Sequence, residues 1–529
     1  MSDWISEMPA WMSILPPLIT IVLALVFREV YVSLLIGIMS GGIIAAYYEH
    51  SWSGIIDGIL SPVDYMVQAV SPANGDSGHI SVIIFSLFIG GMVAVITANG
   101  SMGKLVSLIS KKATNKKRGQ LATWFMGILI FFDDFANTMV VGNTMRPLTD
   151  RLKISREKLA YIVDSTAAPI AAIALITTWI GAELQFIQDG ISGLENFPKD
   201  KSSYIIFLSS LKYMFYPVLT LLFILILILT GKDYGPMYKA ENQVIQHGDE
   251  KEDMEYDKMA KVWKGIVPIA LLILATLLGL WTTGYDAEII GDSSMGLTKK
   301  LGLIIGAADS YKALLWASYI GLGSAILFSL PQLGMEKSVT AAVNGFKKMF
   351  GAIMILVLAW SLAGVTDTLH TADFITSALD GNVQAKLLPA ITFVFAALIA
   401  FSTGSSWGTM AILYPIVIGT SWSLGLADGL TQDANYQILI NVIACVLAGS
   451  VLGDHCSPIS DTTILSSLAS DCDHISHVKT QLPYALTVGF VALIFGTIAS
   501  AYGVPSWICF VLGLLSLFSI VSYFGKSTQ

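Results

Sequence analysis

The sequence predicts an all-α polytopic membrane protein made of two halves with inverted topology. Of its 529 residues, 54% are hydrophobic and 13% are charged, whereas a soluble domain carries about 25% charged residues. Many apolar runs reach the roughly 20 residues that a helix needs to cross a bilayer. Charged side chains nevertheless interrupt several of these runs. Charge at that depth costs free energy, so these positions indicate an ion or substrate path.

Apolar segments of span length form two groups around a hydrophilic stretch. The first group is Trp11–Phe27, Val30–Tyr48, Ile80–Ala98, Gln120–Met145, Lys158–Gly181 and Tyr204–Thr230. The second group is Val267–Trp281, Tyr311–Leu330, Phe350–Val365, Leu387–Thr420, Ile438–Ser467, Pro483–Ala501 and Trp507–Tyr523. Residues 231–264, rich in Lys, Glu and Asp, predict a cytoplasmic linker. The expected domains are residues 1–230, this linker, residues 265–505 and an extra C-terminal span at 506–529.

Two segments are predicted to be re-entrant hairpins. Residues 120–145 have clusters of Lys and Arg on both flanks, and basic residues mark cytoplasmic loops. Because a single crossing cannot leave both ends on one side, the chain is expected to enter, turn at FFDDFANT and return. Residues 387–420 have almost no basic flank. This second hairpin is therefore expected to enter from the outside.

A broken helix is predicted at residues 438–467. Asp454, His455 and Asp461 follow a long apolar run, and Pro458 lies between them. Proline has no backbone N–H and interrupts a continuous helix. Two half-helices joined by unwound chain are typical of binding sites in secondary transporters.

Short sequence matches relate the two halves. Strings that begin at Tyr31, Asn137 and Ala168 recur roughly 270–290 residues later. The order of elements is the same and the expected orientation is opposite. The pattern predicts an inverted repeat, each unit holding about five spans and one re-entrant hairpin.

Four polar clusters are the candidate ion or substrate site. At the hairpin tips they are Asp133, Asp134, Asn137 and Thr138, and Thr403, Ser405, Ser406 and Thr409; at the predicted helix breaks they are Asp164, Ser165 and Thr166 before Pro169, and Asp454, His455, Ser457, Asp461 and Thr462. An inverted repeat can bring all four clusters together near the bilayer midplane. Sodium prefers oxygen ligands, and the candidate carboxylates are Asp133, Asp134, Asp164, Asp454 and Asp461. No cofactor other than this ion is expected.

Each cluster also has a plainer interpretation. The acidic pair at the first tip can cap a helix, and Asp164 can bond to a neighbouring helix. The small residues of the second tip can serve close packing. His455 can titrate or orient Asp454, and the sequence does not separate these two roles.

Two strings that point to other chemistry are discounted. Residues 404–408 match G-x-S-x-G but follow no strand, so Ser406 is not expected to be catalytic and the protein is not expected to be an enzyme. An intramembrane hydrolase that uses Ser406 or a metal stays the alternative from another class. Asp471–His477 resembles a metal cluster, but a solvated loop is the favoured interpretation.

GDHCSPISDTTILSS, at Gly453–Ser467, resembles the signature of the NhaC family of sodium/proton antiporters. FFDDFANTMVVGNTMRPLTDRL, at Phe131–Leu152, and VDSTAAPIA, at Val163–Ala171, are similar to motifs of that family's first half. The resemblance implies the ion-transporter-superfamily fold, with a scaffold domain and a mobile domain that moves as an elevator. It also implies a homodimer in a bacterial-type inner membrane. Relatives in the family exchange malate for lactate or move amino acids.

The expected function is therefore secondary antiport of sodium and protons through carboxylates at hairpin tips and broken helices. The alternative is sodium- or proton-coupled exchange of a small organic acid or an amino acid. The expected partners are sodium, protons, the lipid bilayer and a second copy of the chain. No basic stripe with interleaved aromatic residues occurs, so no nucleic-acid partner is expected.

Overall fold

The computed structural model describes residues 7–27, 29–71, 78–110, 113–194, 197–198, 201–243, 260–291, 300, 303–305, 307–371, 374, 383–458 and 460–528. These residues are almost entirely helical, and they include nine helical segments long and apolar enough to cross a membrane. A tenth span results when the bent pair Ser203–Tyr213 and Phe215–Thr230 is taken as one. The prediction of an all-α polytopic membrane protein is confirmed at this level.

The first half contains eleven of the helices described. They are α1 (Leu15–Phe27), α2 (Val30–His50), α3 (Ile55–Val70), α4 (Gly78–Ala98), α5 (Ser101–Ser110), α6 (Lys116–Leu129), α7 (Asp134–Arg151), α8 (Arg156–Ile173), α9 (Ile180–Ser192), α10 (Ser203–Ser210) and α11 (Phe215–Thr230). Helix α3 does not match any of the predicted spans. Asp57, Pro62 and Asp64 interrupt its apolar pattern, and hydropathy alone therefore gives no continuous span there.

The rest of the chain supplies the second set of helices and two short strands. The elements are β1 (Lys232–Asp233), α12 (Gly235–Asn242), α13 (Trp263–Gly284), α14 (Ala287–Gly291), α15 (Ser310–Thr368), α16 (Leu388–Thr403), α17 (Ser406–Ala427), α18 (Gln432–Cys456), α19 (Asp461–Ala469), α20 (His474–Ala501), α21 (Ser506–Phe524) and β2 (Lys526–Ser527). Helix α15 is divided at Gly334, whose φ of 74° is not helical. Its second part therefore begins well before Phe350, where the sequence analysis placed the start of a span.

Three chain breaks lie beside the site described below. Residues 130–133 separate α6 from α7, residues 404–405 separate α16 from α17, and the third break follows Cys456 at the end of α18 and precedes Asp461 at the start of α19. Gly404 has a φ of 66°, which glycine adopts without the steric cost that a side chain brings.

The predicted helix break at Asp164–Thr166 is wrong. Helix α8 continues through Pro169 to Ile173, and the irregular segment Ala174–Trp179 separates it from α9. Proline removes only one backbone donor, and neighbouring helices can satisfy the freed carbonyl of a membrane helix. The break consequently comes later than the proline indicates.

The predicted hydrophilic linker is partly folded. Strand β1 pairs antiparallel with β2 at the C-terminal end, Lys232 opposite Ser527 and Asp233 opposite Lys526. Helix α12 follows, so residues 232–242 of the predicted hydrophilic linker form regular structure. Residues 244–259 of that linker lie outside the described residues.

Helices α16 and α18 cross at close range beside the site described below. A Cβ atom at Gly449 would lie 2.5 Å from the carbonyl oxygen of Phe393, and a backbone atom cannot move aside as a side chain can. Overpacking of this kind costs about 1–3 kcal/mol. We therefore expect Gly449→Ala to lower the thermal unfolding midpoint of the protein in detergent.

Gly323→Ala is the matched control for this prediction. A Cβ at Gly323 meets no atom within 4 Å, and alanine favours a helix over glycine by about 1 kcal/mol. The midpoint of Gly323→Ala should stay unchanged or rise. Equal midpoints for both variants would contradict the account of the crossing.

Candidate functional site

A small cavity lies where three of the chain breaks and the start of α9 meet. We call it the central cavity, and its volume is about 30 Å³. Its walls are formed by Asp134, Phe135, Trp179, Gly404, Ser405, Ser406, Trp407, Asp454, Asp461 and Thr462. Since one water molecule needs roughly 10–15 Å³ on this measure, the cavity has room for a few waters or a partly hydrated ion.

Asp454 lies in the last turn of α18 and is buried, with 4% of its surface exposed. Its Oδ2 accepts a hydrogen bond of 2.5 Å from the Thr462 hydroxyl across the break. The Thr462 hydroxyl in turn lies 3.0 Å from that of Ser460. The broken helix thus brings one carboxylate and two hydroxyl groups together at the wall of the cavity.

Asp164, in the middle of α8, is fully buried and surrounded by donors. Its Oδ2 accepts from the Gln481 amide at 2.5 Å and from the Thr463 hydroxyl at 3.1 Å. Its Oδ1 accepts from the Ser466 hydroxyl at 3.1 Å. These bonds tie α8 to α19 and α20. Asp164 is therefore a buried carboxylate whose oxygens are already engaged, and it does not line the central cavity.

The first hairpin tip holds oxygen atoms with no bonded partner. The Asn137 amide donates to the carbonyl oxygens of Gly127 and Ile130 at 2.6 and 3.2 Å, which fixes the turn between α6 and α7. Its Oδ1, the Asp134 Oδ1 and the Thr138 hydroxyl are buried and have no hydrogen-bond partner within the described part of the chain. Buried polar atoms are rarely left unpaired, so these oxygens are free to accept from or coordinate a ligand.

The second hairpin tip mostly satisfies its own backbone. Ser405 caps α17 by accepting from the Gly408 N–H at 3.1 Å. The hydroxyls of Thr403 and Thr409 donate to carbonyl oxygens of their own helices at 2.9 Å each. The Ser406 hydroxyl reaches the Ser450 carbonyl on α18 at 3.4 Å. This tip shapes the cavity wall, while Thr403 and Thr409 do not face it.

Several predicted residues lie away from the cavity or differ from expectation. Asp461 is exposed rather than buried, at the first position of α19. Asp133 is buried next to Asp134 but does not line the cavity. Thr166 bonds to carbonyls of its own helix and packs against Gly127. Ser165 is buried within α8.

Two further predicted residues support the broken helix. The Ser457 hydroxyl donates to the Phe401 carbonyl at 2.7 Å and joins the break to α16. His455 Nδ1 lies 2.9 Å from the Tyr216 hydroxyl. Its ring therefore contacts α11.

Two residues of the Asp164 network, Gln481 and His477, are not among the predicted site residues. The favoured interpretation of Asp471–His477 as a solvated loop is wrong at its end, because His474 begins α20 and His477 is fully buried. His477 Nε2 lies 3.0 Å from Gln481 Oε1 and 3.9 Å from the Asp164 carboxylate. His477 and Gln481 are four residues apart in a helix that follows a charged loop, and hydropathy does not distinguish them from exposed polar residues. Their role beside Asp164 follows only from the helix packing.

The acidic residues do not form a single ligand set. Across the described ranges, no group of three or more His, Cys, Asp and Glu side chains is placed to hold a metal ion. Sodium also accepts amide, hydroxyl and carbonyl oxygens. The chemistry available at the central cavity is therefore that of three carboxylates, Asp134, Asp454 and Asp461, with neutral oxygens around them.

The fold is that of known transporters. The chain aligns with the crystal structure of the YdaH transporter of Alcanivorax borkumensis with a TM-score of 0.51, over 86% of this chain and 90% of that one. The two sequences are 14% identical. At that identity the likeness concerns the fold alone.

Sequence comparisons identify the family. An uncharacterized protein of Haemophilus influenzae is 31% identical over 90% of this chain and 88% of its own length. The malate-2H(+)/Na(+)-lactate antiporter of Bacillus subtilis is 27% identical over 31% of this chain and 33% of that protein. The model of the Na+/H+ antiporter family matches residues 170–499, more than half of the chain. The resemblance drawn from the motifs is thus confirmed, and the protein belongs to the Na+/H+ antiporter family.

Proposed function

We propose that this antiporter exchanges sodium for protons at the central cavity, with Asp134 and Asp454 as the carboxylates that both ions neutralise. The observation that carries the proposal is the placement of these two acids, from separate halves of the chain, on one cavity of about 30 Å³. Asn137 and Thr138 follow Asp134 by three and four residues on α7. Their unpaired oxygens supply neutral ligands for sodium. Asp461 stands exposed on the same cavity and attracts cations to it.

The coupling follows from the cost of buried charge. An isolated carboxylate in a dry interior is strongly unfavourable unless a cation or a proton neutralises it. If the site crosses the membrane only when neutral, it carries sodium in one direction and protons in the other. Asp164 takes a positioning role in this scheme, since three donors already occupy its oxygens.

The proposed movement is elevator-like and rests on an inverted repeat. A hairpin, α6–α7, is followed by a helix interrupted at Ala174–Trp179, and a second hairpin, α16–α17, is followed by a helix interrupted at Ser457–Ser460. The same order in both halves supports the repeat units 1–230 and 265–505. By analogy with the family, we also propose that the protein forms a homodimer in a bacterial-type inner membrane.

Asp134→Asn tests the sodium site. Asparagine keeps the shape of the side chain but removes the charge, so sodium affinity should fall about tenfold or more, which corresponds to roughly 1.4 kcal/mol. The measurement is equilibrium binding of radioactive sodium to the purified protein. Asp57→Asn is the control, because Asp57 is exposed on α3. Unchanged binding in Asp134→Asn would exclude this carboxylate from the site.

A small organic acid is the second candidate cargo. The N-terminus of α17, capped by Ser405, opens onto the central cavity together with Trp407, and helix N-termini favour carboxylates. The Bacillus subtilis relative is named for malate, lactate, protons and sodium together. In this alternative, sodium and protons drive the exchange of an organic anion, and the cavity must widen to admit it.

A further inference from the structure

Glu183, on α9, is a buried acid that the proposed sodium site does not use. Only 2% of its surface is exposed, and its Oε1 has no hydrogen-bond partner among the residues described. By contrast, Glu241 is a buried glutamate that accepts from both the N–H and the hydroxyl of Ser155 and pairs with Lys116 at 3.3 Å. Glu183 thus lacks the donors that stabilise a buried carboxylate elsewhere in this chain.

The surroundings of Glu183 follow from the way α9 packs on α17. The rings of Trp179 and Trp407 lie 6.1 Å apart at the cavity wall, and those of Phe186 and Tyr414 stack at 5.7 Å further along. Glu183 is four residues after Trp179 and three before Phe186, on the same helical face. Glu183 therefore lies along α9 between the residues of the two aromatic pairs, about one helical turn of 5.4 Å from Trp179 at the cavity wall.

The titratable neighbours of Glu183 are few. Of the elements packed against α9 among the described residues, helix α17 carries Tyr414, α10 carries Tyr204 and α4 carries His79. Helix α15 contributes Trp360, whose ring stacks on that of His79 at 4.0 Å. His79 lies 3.3 Å from Asp189, further along α9. No basic side chain is shown to pair with Glu183 in the described chain, and a carboxyl group without a countercharge in an apolar interface is held as the neutral acid.

We propose that Glu183 is a second proton-binding site, which carries a proton through the transport cycle without exchanging it for sodium. Separation of the Trp179–Trp407 pair would admit water from the central cavity to the carboxyl group. The Glu183 O–H bond then breaks, the proton leaves to that water and the carboxylate is hydrated. Closure of the pair requires that a proton return, and a net proton crosses the membrane when release and return take place with the cavity open to opposite sides. This inference rests on the proposed function, because the cavity supplies the water and the cycle.

The experiment compares two fluxes in liposomes that contain the purified full-length protein. Sodium–sodium exchange reports the sodium site, and sodium-driven proton movement reports coupling. Glu183→Gln, the neutral isostere, should keep sodium–sodium exchange within about twofold while fewer protons move per sodium and the pH dependence flattens. Glu183→Asp should restore proton coupling with a displaced pH profile. An unchanged proton-to-sodium ratio and pH profile in Glu183→Gln would overturn the proposal.

A wild-type measurement covers the case in which Glu183→Gln does not fold. Dicyclohexylcarbodiimide modifies protonated carboxyl groups in apolar surroundings, and mass spectrometry locates the adduct. We expect an adduct at Glu183 that sodium does not prevent, and one at Asp454 that sodium does prevent. Modification of Asp454 without Glu183 would contradict the proposal. If the wild type shows no sodium-dependent flux at all, the proposed function fails instead.

Discussion

Asp454→Asn should abolish sodium-driven proton movement while the protein still folds. Asparagine preserves the size of the side chain and its bond with Thr462, but it cannot bind or release a proton and it offers sodium no charge. In the proposed cycle this variant resembles a permanently neutralised site. Sodium–sodium exchange should be lost with proton movement, because both need the carboxylate. The loss should exceed about a hundredfold, which corresponds to roughly 2.7 kcal/mol.

Asp433→Asn is the control for this prediction. Asp433 lies in the first turn of the same helix, α18, and is exposed. Both variants should elute as single species in size-exclusion chromatography and unfold at similar temperatures. Full exchange activity in a folded Asp454→Asn protein would remove the central carboxylate from the account.

Lys158→Met should cause the largest loss of stability. The Lys158 ammonium group lies 2.5 Å from the Asp233 carboxylate, and their side chains are 1% and 4% exposed. The Tyr484 hydroxyl also donates to Asp233 at 2.6 Å, and the ammonium lies 5.6 Å from the centre of the Tyr484 ring. Removal of one partner leaves a buried unpaired charge, which costs about 3–5 kcal/mol. The thermal unfolding midpoint in detergent should therefore fall by many degrees.

A double variant separates the effect of the unpaired charge on stability from the effect of lost packing. Lys158→Met with Asp233→Leu removes both charges, so it should unfold at a higher temperature than Lys158→Met alone. Lys347→Met, at an exposed lysine of α15, should leave the midpoint unchanged. If Lys158→Met and Lys347→Met unfold at the same temperature, the buried pair does not stabilise the fold.

Much of the site could be predicted because its signals are local. Pro458, the polar tip from Thr403 to Thr409 and the acidic pair Asp133–Asp134 each mark a place where an apolar membrane helix is interrupted. The structure has chain breaks at all three places. Asp134 and Asp454 lie on one cavity although they are far apart in sequence. Breaks and buried charges thus indicate a candidate transport site before any packing is known.

The rest depends on contacts between distant segments. Pro169 predicted a break that α8 does not have, because the packed bundle tolerates the lost hydrogen bond. In the sequence, Lys158 is one of several basic residues that flank a predicted hairpin. Its partner Asp233 lies in the predicted linker. Glu183 follows the end of a predicted apolar segment and is not among the predicted site residues. Hydropathy does not distinguish a buried acid from one at a membrane surface. These features follow from helix packing, which the sequence pattern does not encode locally.

The most direct test of the central claim uses the wild-type protein in sealed liposomes with a pH-sensitive dye inside. Sodium is added outside and no organic solute is present. The account predicts that the interior becomes more alkaline as sodium enters and protons leave, that the signal saturates with sodium, and that Asp454→Asn removes it. Silence with sodium alone, followed by a signal when organic acids or amino acids are added, would contradict simple exchange at the central cavity and make sodium the driver of another cargo.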